Sequence, residues 1–205
     1  MKQLIPCCLL AWVALTSVAQ AQRSQHAGMS GMHGGHNGMA MRHRPSMPMK
    51  MSGMQALQGL SGKEFDIDFM SQMIAHHRGA INMAQQALKI TRLAEVHKEA
   101  KMIVIGQTKE IATMSAWLRK WYGVKPSSEQ MALMKADMKA MMSMKITTDR
   151  MFLEKMIPHH QGAIDMSRLA LKQGGKPELK QMAQDMIWAQ GREIARYKEL
   201  LHHVH

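Results

Sequence analysis

One eleven-residue segment occurs twice, and this repeat constrains the fold more than any other feature of the chain. Met73-Ile74-Ala75-His76-His77-Arg78-Gly79-Ala80-Ile81-Asn82-Met83 returns 83 positions later as Met156-Ile157-Pro158-His159-His160-Gln161-Gly162-Ala163-Ile164-Asp165-Met166. The same offset carries Asp66 onto Asp149 and Phe69 onto Phe152 upstream. Downstream it carries Gln107, Glu110 and Ile111 onto Gln190, Glu193 and Ile194. Each copy holds two long stretches of helical periodicity. Gly123-Val124-Lys125-Pro126 and Gly174-Gly175-Lys176-Pro177 are the clear breaks. No stretch alternates with the period of a strand. Two helical hairpins predict an all-α four-helix bundle over residues 63–205, with repeat 1 at about 65–122 and repeat 2 at about 148–203. Between them, Ser127 to Ile146 carries Met131, Met134, Met138, Met141 and Met142 at helical spacing. This predicts a shorter connecting helix whose methionine stripe packs rather than ligates.

The chain ahead of the bundle reads differently. Lys2, an apolar run from Leu4 to Val18 and the small-x-small sequence Ala19-Gln20-Ala21 predict a signal peptide over residues 1–21, cleaved after Ala21. The apolar run is too short to span a membrane, so a periplasmic or secreted protein is expected. Cleavage removes Cys7 and Cys8, the two cysteines of the chain. The mature protein then has no disulfide and no thiolate ligand. Residues 22–62 are rich in Gly, Ser, Pro, Met and His, with almost no branched apolar side chains, and predict a flexible tail. The formal charge of +12 is spread along the helices. Only three tryptophans, two tyrosines and three phenylalanines remain after cleavage. No nucleic-acid partner is expected from that pattern, and attraction to anionic lipid or wall polymer accounts for the charge.

Without thiolate, soft-metal chemistry falls to thioether and imidazole, and the chain has 25 methionines and 12 histidines. In the tail, Met29, Met32, Met39, Met41, Met47, Met49, Met51 and Met54 are interspersed with His26, His33, His36 and His43. Many weak, overlapping ligand sets on a flexible chain raise the effective ligand concentration. In the bundle, residues about 100° apart on a wheel place Met73, His77, Ala80 and Ala84 on the interior face, with His76 and Met83 to one side. Adjacent histidines diverge, so one of each pair is expected to face the core and the other a flank or groove. An ion held there needs ligands from another helix or from the tail. Met156, His159, His160 and Met166 repeat the arrangement, and Pro158 is expected to kink its turn and aim the second pair differently. Each His-His pair is either a ligand set or a buried polar hub, with Gln107, Glu110, Gln190 and Glu193 as hydrogen-bond partners. Met70, Met102, Met114, Met182 and Met186 read as core fillers.

This mixture of nitrogen and sulfur selects copper, Cu(I) foremost and Cu(II) also, with Ag(I) a surrogate. Mg²⁺ and Ca²⁺ are poorly matched to a tail without carboxylates, and zinc lacks its cysteine or three-histidine spacing.

The repeated Met-Ile-x-His-His-x-Gly-Ala-Ile-x-Met, followed by Gln-x-x-Glu-Ile, resembles the CopM-like periplasmic copper-binding family, a bacterial domain of unknown function. The likeness runs from about Phe65 to Leu201. It implies a ferritin-like bundle outside the cytoplasm, with Met73, His76, His77 and Met83, then Met156, His159, His160 and Met166, as ligands by position. Which histidine of each pair binds is left open by the resemblance.

The function expected from these readings is copper sequestration or transport in the periplasm, supporting copper tolerance, with copper ions and another periplasmic copper-handling protein as partners. Two other classes compete. A ferritin-like metal oxidase wants two Glu-x-x-His motifs, and only Glu199-x-x-His202 has the spacing. A metal-free cationic envelope or stress protein would leave the tail unexplained.

Overall fold

A computed structural model of the chain describes residues 52–204. Six helices follow one another: α1 (Ser52–Leu57), α2 (Gly62–Ala87), α3 (Ala94–Tyr122), α4 (Ser128–Met142), α5 (Asp149–Gln173) and α6 (Pro177–Leu200). Among the described residues the one β feature is an isolated bridge between Gly62 and Gly174. The signal peptide and the tail up to Met51 lie outside the described residues.

Local sequence sets the helix ends. Thr148 Oγ1 accepts from Met151 N at 3.1 Å and Ser127 Oγ accepts from Gln130 N at 3.3 Å, capping α5 and α4. Gly123 ends α3 at φ 69°, the left-handed conformation a glycine adopts without strain.

Each copy is an antiparallel hairpin, α2 with α3 and α5 with α6. The two hairpins meet along α2 and α5, and the apolar clusters give the direction. Phe65, Phe69 and Met73 of α2 share one cluster with Met166 and Ala170 near the end of α5. Met83, Ala84 and Ala87 share the other with Phe152 and Met156 near the start of α5. The helices are therefore antiparallel and cross near their middles, where both His-His pairs sit. Asp66 marks one end of the crossing: its buried carboxylate accepts from Tyr122 Oη at 2.6 Å and from Gly175 N at 2.8 Å. A Cβ on Gly175 would lie 2.9 Å from Gly62 Cα, so this close backbone approach excludes a side chain.

The connecting helix lies along α2. Ser71 meets Ser127, Gln72 meets Gln130, Gly79 faces Met138, and Gln86 meets Ile146, an almost constant separation that makes α4 parallel to α2. Met134 and Met138 are buried in this contact, as the stripe predicts.

The expected tail ends earlier than residue 62. The α1 helix folds against α4 and α2, with Leu57 fully buried in the first cluster. Its first amides, Ser52 N and Gly53 N, donate to the Asp137 carboxylate at 3.1 and 2.7 Å. Gly53 O in turn accepts from Gln72 Nε2 at 3.0 Å, so one branched residue and a few polar contacts hold this turn. Met54, placed with the tail ligands by sequence, packs partly buried against that cluster. Met102 is 53% exposed rather than a core filler, whereas Met70, Met114 and Met186 are buried.

Candidate metal centre

The four repeated histidines form one buried layer between the two apolar clusters. His76, His77, His159 and His160 are all at most 2% exposed. The expectation that one histidine of each pair faces a flank is therefore corrected. The reason is that α3, α4 and α5 contact α2 together, so directions that are flanks on an isolated wheel become interior.

Within a pair the rings diverge: centroids are 6.4 Å apart for His76 and His77, and 6.2 Å for His159 and His160. Between copies they converge. The His76 and His159 rings lie 3.8 Å apart, tilted by 40°. These two point from α2 and α5 toward each other, while the second histidine of each pair turns to the partner helix of its own hairpin. His77 Nε2 donates to Glu110 Oε2 at 2.7 Å. His160 Nε2 lies 2.8 Å from Glu193 Oε2, outside hydrogen-bond geometry. Of the four partners the repeat predicts, Glu110 and Glu193 reach the imidazoles, while Gln107 and Gln190 are buried with Oε1 atoms that have no partner.

Pro158 does not re-aim the second pair. The interplanar angle is 60° in both copies. Pro158 and Glu154 are exposed, so water can meet the carbonyl that loses its amide partner.

The electrostatics favour neutral rings at His76 and His159. Burial, and then the neighbouring imidazoles, hold His76 and His159 well below the ordinary histidine range. Unprotonated imidazole is the metal-binding form. The Nδ1 atoms of all four histidines and Nε2 of His159 and His160 have no hydrogen-bond partner. In a neutral ring, donation from His77 Nε2 to Glu110 leaves a lone pair on Nδ1, the orientation that a carboxylate imposes on metal-binding histidine.

The predicted methionine ligands divide between the clusters. Met73 and Met166 lie in one, Met83 and Met156 in the other, all but fully buried, so each cluster receives one from each copy. His33, His36, His43, Met29, Met32, Met39, Met41, Met47, Met49 and Met51 lie outside the described residues. Glu199 and His202 sit at the exposed end of α6. Among the described residues, no three His, Asp or Glu side chains converge closely enough to hold a metal.

Two residues near the layer carry weight that their sequence context concealed. Gly79, within the repeat, faces His159 Nε2 and Met138 Sδ, each close to where its Cβ would stand. Tyr197 lies 5.6 Å from His160, where the first copy has Met114.

Comparison with known proteins agrees with this architecture. The family described as a domain of unknown function, DUF305, matches twice, over residues 10–118 and 91–201. CopM in its Cu(II)-bound form is 30% identical, over 67% of this chain and 96% of that chain, with a TM-score of 0.59. CopM also matches in Cu(I)-bound, Ag-bound and apo forms. A DUF305 protein from Streptomyces coelicolor, described as secreted, is 27% identical over 67% of this chain and 92% of its own, with a TM-score of 0.60. The uncharacterized protein L153 of Acanthamoeba polyphaga mimivirus is 40% identical over 53 residues, about a third of its length.

Proposed function

The chain belongs to the DUF305 family, and from that premise we propose that it is an exported copper-binding protein that sequesters or ferries Cu(I) and Cu(II) through histidine and methionine, supporting copper tolerance. The observation that carries this reading is the pair His76 and His159: two buried rings from different copies, 3.8 Å apart, with unpartnered nitrogens. An unsatisfied buried polar group costs about 1–3 kcal/mol, and a bound metal removes that cost by supplying the missing bond. Neutral imidazoles and abundant thioethers suit copper better than hard cations. The relatives support the same metal, since CopM has been solved with Cu(II), Cu(I) and Ag.

Export rests on the N-terminal signal pattern and on the secreted relative. Among the described residues no helix is long and apolar enough to cross a membrane. The role proposed is binding rather than catalysis.

Calorimetry with Cu(II) and chelator competition with Cu(I) test this on the mature chain. A variant with the four layer histidines changed to leucine and the tail methionines to serine is expected to bind at least about tenfold more weakly. Equal affinity overturns the proposal.

A further inference from the structure

The connecting helix α4 reads from sequence as packing, but its position says more. Met138 is buried, and its side chain borders Gly79 of α2, which His159 of α5 borders as well. A Cβ on Gly79 would stand 3.3 Å from His159 Nε2, 3.3 Å from Met138 Cε and 3.4 Å from Met138 Sδ. Both the sulfur and the imidazole nitrogen thus border one methyl-sized space, and the glycine keeps it clear. Both ring nitrogens of His159 lack a hydrogen-bond partner, and the ring is buried.

We propose that Met138 and His159 form a soft-metal site across α4 and α5, in the space kept open by Gly79, and that α4 is its wall and its entrance. The inference deepens the copper-binding reading and rests on it. Bonds from a closed-shell d10 ion to imidazole nitrogen and to sulfur run about 2.0–2.3 Å, so a small swing of a flexible thioether brings both ligands to one ion. His76, whose ring centroid lies 3.8 Å from that of His159 at a tilt of 40°, is within reach as a third donor.

A groove between α2 and α4 runs outward from this point, lined by Gly79, Met138 and Met142 and rimmed by Arg78, Lys135 and Lys139. The basic rim repels a hydrated dication about twice as strongly as a monovalent ion, so it favours a soft monovalent ion at the thioethers.

Silver(I) and methionine-methyl NMR on the full mature chain test the site. The Met138 methyl resonance, identified by its loss in Met138→Leu, is expected to move with the His159 ring signals as Ag(I) is added. Met138→Leu conserves volume and should melt like the wild type, while Cu(I) affinity at His159, read by chelator competition, falls about tenfold or more. Gly79→Ala should abolish the coupled shift, because its methyl fills the space. If imidazole and tail methyl signals respond while Met138 stays still, the α4 site is wrong and copper binding stands. If no imidazole or methyl signal responds, both readings fail.

Discussion

The two copies present the same histidine pair to the same interface, yet their surroundings differ. In the first copy, the Glu110 carboxylate that accepts from His77 lies in a groove with Trp117, Glu178, Met182 and Asp185 and no cation. In the second, the Glu193 carboxylate lies off the ring's donor direction, in a groove with Glu99, Arg192 and Arg196. Burial and the nearby Glu193 push Glu99 up, against the pull of Arg196 and Lys98. Tyr197 replaces Met114, and its buried hydroxyl has no partner; burial, followed by Glu193 and Glu99, raises it. The largest difference is α4, which packs along α2 and leaves Gly79 buried but its counterpart Gly162 only half-buried. Duplication thus supplies a symmetric frame, and the surroundings make one half a covered, tightly hydrogen-bonded site and the other a charged, looser one.

The frame itself is expected to be symmetric, which the largest effect tests. Phe69→Ala and Phe152→Ala occupy equivalent, fully buried positions in different clusters. Each is expected to cost about 3–5 kcal/mol, measured by denaturant unfolding. A wide gap between them would break the symmetry of the core.

The His76 and His159 pair is shared by both copies, and it makes stability depend on pH. Their depressed folded values mean the unfolded chain binds more protons below the ordinary histidine pKa. Stability is therefore complete above about pH 6.5 and falls as the pH drops below it, by about 1.4 kcal/mol per pH unit for each ring. Melting curves from pH 7 to 5 should show this slope, and a His76→Gln, His159→Gln variant should flatten it. An unchanged slope in that variant would assign the pH dependence elsewhere.

The carboxylates sharpen the contrast between copies. Glu110→Leu removes the acceptor of a buried imidazole and is expected to cost about 1–3 kcal/mol. Glu193→Leu should cost less, because its contact is off-axis and its removal relieves Glu99. Equal losses in paired unfolding measurements would erase the distinction.

The glycines give the smallest effects. Gly106 and Gly191 have open space where a Cβ would stand, so Gly106→Ala and Gly191→Ala should each stabilise by roughly 0.5–1 kcal/mol. At Gly79 the same change meets His159 and Met138, and the gain should shrink or vanish. A full gain there would mean the space under α4 is larger than it looks.

Much of the fold was legible in the repeat. The offset that links Phe69 to Phe152 and Glu110 to Glu193 located both hairpins, and the methionine spacing located α4. Divergence of adjacent histidines followed from helix geometry, as did the need for ligands from another helix. The burial of His76, the harmlessness of Pro158 and the folding of Ser52–Leu57 did not follow. Each depends on which neighbours surround a helix, and periodicity along one helix carries no record of them. Met138 stayed hidden for the same reason, since a stripe at helical spacing looks the same whether it meets a leucine or an imidazole.

What the amino-acid sequence determined by itself was the unit and its direction: two copies of one helical hairpin, an abundance of thioether and imidazole without mature thiol, and the azimuth of each side chain about its own axis. What the tertiary structure alone decided was which side chains meet. An antiparallel crossing at the His-His segments turns His76 toward His159 and leaves His77 and His160 to their own carboxylates. A parallel α4 brings Met138 to Gly79. The physical reason is that a helix's own geometry sets relative angles within it, whereas contact between helices depends on where their axes cross.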